Sequence, residues 1–241
     1  MIKIENVVLP SPAQWEAVIR GLRNPKNSWD RSDSYKTHIA DPETLETADF
    51  EFFVGENDLQ LMNNLASGGP VHAKYRRMIH VYLDITAPLY WWKEFDTYKI
   101  GTVANSCSTM HKIHEKEFTL EDFSCEHLTS IGLNELNFVI STLNTYRRYF
   151  VDWDKIDDNS KNAVRVFDKK DAWWQMIQLL PSSYNQKRTV MLNYEVLVGI
   201  YKHRRNHKLD EWHVLCDWIE QLPYSELITG GRKNESTETS L

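Results

Sequence analysis

Three cysteines in 241 residues, Cys107, Cys125 and Cys216, are too few and too widely spaced for a disulfide framework or a C-x-x-C zinc knuckle. A reducing, cytoplasmic setting is expected. Long apolar runs are also missing: no window approaches eighteen uninterrupted apolar residues, and the opening MIKIENVVLP holds no long apolar segment, so neither a membrane span nor a secretion signal is expected. Positive charge is outnumbered, 28 Lys and Arg against 34 Asp and Glu. The net charge of -6 gives no overall attraction to nucleic acid, although YKHRRNHK, Tyr201 to Lys208, is locally basic. There is no G-x-G-x-x-G and no Walker motif, so a bound phosphate would have to be held by side chains and irregular loop amides.

What the chain does have is aromatic bulk. Nine tryptophans and eleven tyrosines supply large buried areas while their N–H and O–H groups still need partners. Apolar residues make up 41% and charged residues 26%, ordinary globular usage that predicts a packed core, here one domain over residues 1–223 with a C-terminal segment, 224–241, ending in a disordered tail. IKIENVVL alternates as a strand, and Ser11, Pro12 and Gln14 form a capping-box start for a helix to about Arg23. Polar, turn-rich residues 24–47 read as a long loop. A short helix capped by Asn57 and stopped by Gly68-Gly69 follows, then a strand at HVYLDITAP and a helix from Pro88 to Tyr98. The spacing of Leu133, Leu136, Val139, Ile140, Leu143 and Tyr146 predicts an amphipathic helix of about five turns. Asp152 to Lys170 reads as a linker or solvated helix. Helices are predicted at AWWQMIQLL, Arg188–Arg204 and KLDEWHVLCDWIEQL. Two or so strands among many helices give an α+β, helix-rich α/β class: a small sheet flanked by long helices.

Within the predicted helix 188–204, Asn193 and Arg204 are eleven residues apart, so they share an azimuth and bracket Leu197 and Ile200 over about 16 Å. One reading has Asn193 cap a neighbouring backbone and Arg204 pair with Asp210 or Glu211; the other has them hold an anionic or heterocyclic ligand. NSCST, Asn105 to Thr109, offers the small hydroxyls of Ser106 and Ser108 and close backbone approach to a phosphate, or an ordinary helix cap. His111, His114, Glu115 and Glu117 read as a solvated charged turn rather than a metal site. Cys107 has no base or elbow motif beside it, which makes it a weak catalytic thiol.

Order and spacing from about Gly55 to Ile219 resemble the flavin-dependent thymidylate synthase (ThyX) family. GENDLQLMNNLASGGPVH is similar to the family's helix leading to a flavin-contacting histidine, matched by His72. YLDITAPLYWWKEFDTYK is similar to the strand and helix that run into an Arg-His-Arg motif. ANSCSTMH resembles the Asn-x-x-Ser-x-Arg-Tyr loop that receives the nucleotide phosphate, with Asn105 and Ser108 matching. LLPSSYNQKRTVMLNYEVLVGIYKHR is similar to the segment running from Leu-Pro through Asn to a uracil-contacting Arg, which places Asn193 and Arg204 on those positions. The resemblance implies FAD held by His72, Asn193 and Lys99, and a dUMP phosphate received by Asn105, Ser106 and Ser108. It further implies Arg204 at the uracil as the catalytic group, methylenetetrahydrofolate and NADPH as co-substrates, and a homotetramer. Thr97-Tyr98-Lys99 stands where the family has Arg-His-Arg, Met110 replaces the arginine of the phosphate loop, and Ile177 lies where an arginine precedes Leu-Pro. Losing those cations weakens a dianion clamp. The alternative expectation is therefore a non-catalytic or differently specific nucleotide-binding protein on the same scaffold.

Overall fold

The computed structural model describes residues 2–40 and 47–231. In chain order the elements are β1 (Lys3–Val8), α1 (Pro12–Arg23), β2 (Tyr35–Ala40), β3 (Thr47–Phe53), α2 (Glu56–Ser67), β4 (His80–Pro88), α3 (Leu89–Phe95), β5 (Val103–Ser106) and α4 (Thr109–Lys112). These are followed by α5 (Ser130–Val151), α6 (Asp158–Ala163), α7 (Lys169–Leu179), β6 (Asn185–Asn193), α8 (Tyr194–Arg204), α9 (Asp210–Glu220) and α10 (Glu226–Thr229). Four strands form one sheet in the order β1-β4-β6-β5, and β2 pairs antiparallel with β3 in a second sheet. The class is α+β and helix-rich, as expected.

By its contacts the chain divides into two units, one built mainly from residues 85–97 and 105–188, the other from 4–84, 98–104 and 189–231. In the first, α5 packs on α7 around Phe118, Phe123, Leu136, Ile140, Leu143 and Met176. Trp91, Trp92 and Phe95 of α3 are fully buried there, with Trp91 edge-on to Trp92 and stacked on Phe95. In the second, Trp15, Val18, Ile19 and Leu22 turn one stripe of α1 inward, and α8 packs against α9 and α10. The α1 capping box forms as expected: Ser11 Oγ accepts from the Gln14 N–H, and the Ser11 N–H donates to Gln14 Oε1 at 2.7 Å. Asp84 clasps neighbouring strands by accepting from Asn6 Nδ2 at 2.8 Å and Thr189 Oγ1 at 2.6 Å.

Three expectations are corrected. The expected long loop contains two short 3-10 turns and β2, which pairs with β3 at its far end through aromatic cross-strand contacts, Tyr35 on Phe53 and His38 on Phe50, whose partners lie beyond the polar segment. The helix expected from Arg188 is a strand as far as Asn193. Thr189 and Val190 are β-branched, and Val190 and Leu192 are buried at period two, so the extended chain buries what a helix would expose. The cap of α2 is Gly55, not Asn57, because Asp33 reaches across the chain to accept from the N–H groups of Asn57 and Asp58. At the C-terminus, α10 buries Leu227 and Ile228, and the tail from residue 232 lies outside the described residues.

Candidate functional site

The second unit holds Arg204, Asn193, Lys99 and His72. Arg204 ends α8, where a cation meets the negative end of the helix dipole. Its Nε donates to the Tyr98 hydroxyl at 3.0 Å. Its guanidinium carbon lies 4.7 Å from the Trp212 ring centroid and 5.7 Å from that of Tyr98. The two rings meet edge to face, so the guanidinium is held against an aromatic corner by contacts worth about 0.5–2 kcal/mol each. Trp212 is fully buried on α9, which fixes that corner from below.

Asn193 begins the same helix. It is buried, and its Oδ1 accepts from the Val196 N–H at 3.0 Å, so it caps its own helix rather than a neighbouring backbone, and that oxygen is engaged. Its amide nitrogen lies close over Gly101, which has φ +80; a Cβ built there would sit 2.8 Å from Nδ2. Gly101 is therefore required twice, by its left-handed backbone and by the Asn193 amide. Lys99 and His72 are exposed, and neither is ion-paired to a described residue. His72 precedes the 3-10 segment Ala73–Met78.

The first unit holds Asn105, Ser106, Cys107 and Ser108, all exposed. Ser108 caps the single-turn α4, its Oγ accepting from the His111 N–H at 3.2 Å. The loop is pinned from several directions. The Cys107 N–H donates to Lys187 O at 2.9 Å, Gln186 Nε2 donates to Cys107 O at 3.0 Å and to Thr109 Oγ1 at 2.9 Å, and Trp173 Nε1 donates to Met110 O at 2.9 Å. Gln186 O in turn accepts from Trp92 Nε1 at 2.9 Å, so the tryptophan helix and the small polar loop share one anchor residue.

Sequence reasoning did not find a second arginine station. Arg188 lies over the Trp92 ring at 4.2 Å, donates from Nε to Gln186 Oε1 at 3.0 Å and pairs with Asp96 at 2.7 Å. Once residue 188 is read as strand, side-chain alternation places it on one face with Gln186, the signal that could have located it. Among the described residues no group of three or more His, Cys, Asp or Glu side chains is arranged to hold a metal. His114 packs its ring on Phe150 instead.

With that geometry in place, comparison with solved structures shows what the architecture is. The chain is similar to two structures of thymidylate synthase ThyX from Helicobacter pylori with FAD and dUMP. Identity is 14% in both, TM-scores are 0.57 and 0.56, and 95% of this chain and 97% and 96% of those chains are covered. The fold is ThyX-like. It is also similar to the UMP/dUMP methylase PolB from Streptomyces cacaoi bound with 5-Br dUMP, at 11% identity and TM-score 0.52, covering 91% of this chain and 88% of that one. No protein-family model and no curated protein matches the sequence. No helix among the described residues is long and apolar enough to cross a membrane.

Proposed function

We propose that this ThyX-like chain is a flavin-dependent pyrimidine-nucleotide methylase, carrying out reductive methylation of dUMP to dTMP with FAD, methylenetetrahydrofolate and NADPH as a cytoplasmic homotetramer. The observation that carries this reading is Arg204: on the ThyX-like fold, at the end of α8, a guanidinium is oriented by a phenol and an indole. Held in that way, it costs little reorganisation when it meets negative charge developing on a uracil ring. Ser106, Ser108 and the Asn105 amide are neutral donors for the phosphate. His72 and Lys99 fit a phosphate-bearing flavin, being exposed and without ion-pair partners among the described residues. Asn193 fits it less well as an acceptor, since its Oδ1 is occupied by the helix cap. Bound FAD would supply the hydride. This chemistry asks nothing of an enzyme thiol, which agrees with the absence of a base motif beside Cys107.

A second reading is favoured by one feature. The Nε of Arg204 is already taken by Tyr98, and Met110 stands where the family's phosphate loop carries a cation. Such a site suits a pyrimidine ligand other than dUMP, or binding without turnover.

The test is purification of the full chain followed by titration with FAD and dUMP. The first reading expects a flavin absorption band and saturable dUMP binding. It also expects Arg204→Ala to weaken dUMP about 100-fold, the loss of one charge-assisted contact of about 1.5–3 kcal/mol, while the protein stays folded. Colourless protein that takes up neither compound would remove it, and uptake of another pyrimidine nucleotide would favour the second.

A further inference from the structure

Outside every residue that the ThyX resemblance assigns, the second unit carries a cleft of about 490 Å³ between the turns that follow α1 and one face of α2. Three cations line it, Arg23, Lys26 and Arg31, with the amides of Asn57, Gln60 and Asn64 on the opposite wall; among the described residues no carboxylate lines it. Lys26 and Arg31 are exposed, and neither is ion-paired to a described residue. The three amides recur at three- and four-residue spacing, which puts them in a row on one helical face.

The cations are positioned by a buried network rather than left to a loose loop. Arg23 is 4% exposed, and its Nε donates to Asp58, itself fully buried, at 2.5 Å. Its Nη1 donates to the Ser28 carbonyl at 3.1 Å. Asp58 also accepts from the hydroxyls of Ser32 and Ser34, both at 2.6 Å, so the segment from 28 to 34 that presents Arg31 is tied to α2 on each side. Asp58 neutralises Arg23 from behind, and Lys26 and Arg31 therefore supply the net positive charge that faces the cleft.

We infer that this cleft is a binding site for a small phosphorylated metabolite, with its phosphate against Lys26 and Arg31 and a hydroxylated or heterocyclic body along the amides of Asn57, Gln60 and Asn64. Guanidinium and ammonium groups hold phosphate through charge-assisted hydrogen bonds, while side-chain amides read polar ring edges and sugar hydroxyls. The volume lies within the range of small-molecule sites. A nucleic-acid strand is disfavoured by the net charge of -6.

The probe is inorganic pyrophosphate, titrated calorimetrically into the full chain at 0.15 M salt, beside a Lys26→Ala/Arg31→Ala double variant, Gln60→Ala and Arg204→Ala. The expected result is saturable one-site binding that the double variant weakens at least tenfold with an unchanged melting temperature, and that Arg204→Ala leaves intact. A hexose phosphate is expected to bind more tightly than pyrophosphate in the parent chain, with that advantage lost in Gln60→Ala. Equal binding by parent and double variant, or loss of binding in Arg204→Ala, overturns the assignment. Tighter binding of a short oligonucleotide than of either small anion overturns the choice of ligand class. Because the readout is independent of dUMP and flavin, the cleft can stand if the proposed activity fails, and the reverse also holds.

Discussion

Two arginines of the second unit make the useful contrast. Arg23 is buried and answered by a buried carboxylate, with two serine hydroxyls completing that carboxylate's shell. Arg204 is half-buried and is met by a phenol hydroxyl and two aromatic faces. The first arrangement satisfies a charge so that a loop can be fixed; removing either member leaves the other stranded in a medium that solvates it poorly. The second orients a charge while leaving the local surroundings soft and polarisable. One is locked inside the fold by a carboxylate, and the other is oriented by aromatic groups at a half-buried helix end.

The largest effect that can break this contrast is Asp58→Ala. It strands the Arg23 guanidinium and releases Ser32 and Ser34, and should cost about 3–5 kcal/mol, lowering Tm on the order of 10 °C. Arg204→Ala should cost less, about 1–3 kcal/mol, because the side chain removed is only half-buried. Chemical denaturation of both variants compares them directly. If the two losses prove equal, the contrast between the two arginines is wrong.

A smaller effect sharpens the same point through pH. Burial by itself would raise the Asp58 pKa, but the Ser32 and Ser34 hydroxyls and the Arg23 guanidinium outweigh it and hold the carboxyl below the ordinary aspartate value. A group whose folded pKa is depressed adds stability above its unfolded pKa of about 4 and loses it as pH falls through the lower folded value. The stability gap between the parent chain and Asp58→Asn should therefore be constant from pH 7 to about 5 and shrink below about pH 4. Urea unfolding over that range measures it, and a gap that stays level to pH 3 would count against the network.

These two regions also show what the sequence could reveal. The α1 capping box, the alternation of Val81, Leu83 and Ile85 in β4 and the spacing of α5 are local patterns, and each is realised. Arg204 is singled out in the sequence by its spacing from Asn193 and from the Leu-Pro segment. Its partners are not, since Tyr98 lies 106 residues away and no local rule joins them. Asp58 was missed for the same reason: it sits on a helix that reads as ordinary and polar, while its partners lie 24 to 35 residues earlier in what looked like a plain loop. Of the other candidates, Ser108 and Asn193 prove to be helix caps, a role their residue types announce.

The smallest effect bears on the feature that most sets this chain apart from the family pattern, Tyr98 in place of the central residue of Arg-His-Arg. Tyr98→Phe keeps the ring beside Arg204 but removes the hydroxyl that accepts from Nε. Hydrogen bonds to charged groups are worth more than neutral ones, yet this one is only partly buried, so a coupling of about 1 kcal/mol is expected. A double-mutant cycle of Tyr98→Phe with Arg204→Ala isolates it, because the aromatic contact is retained in the single variant and the two residues touch. If the hydroxyl orients the guanidinium for a ligand, the same single variant should weaken dUMP binding by about threefold to tenfold with little change in Tm, since a freed side chain has more freedom to lose on binding. If instead Tyr98 occupies the place of a ligand group, affinity should rise when its hydroxyl is removed. A coupling energy indistinguishable from zero would mean that the Tyr98 hydroxyl does not help to place Arg204, and that the departure at Tyr98 is incidental to the site.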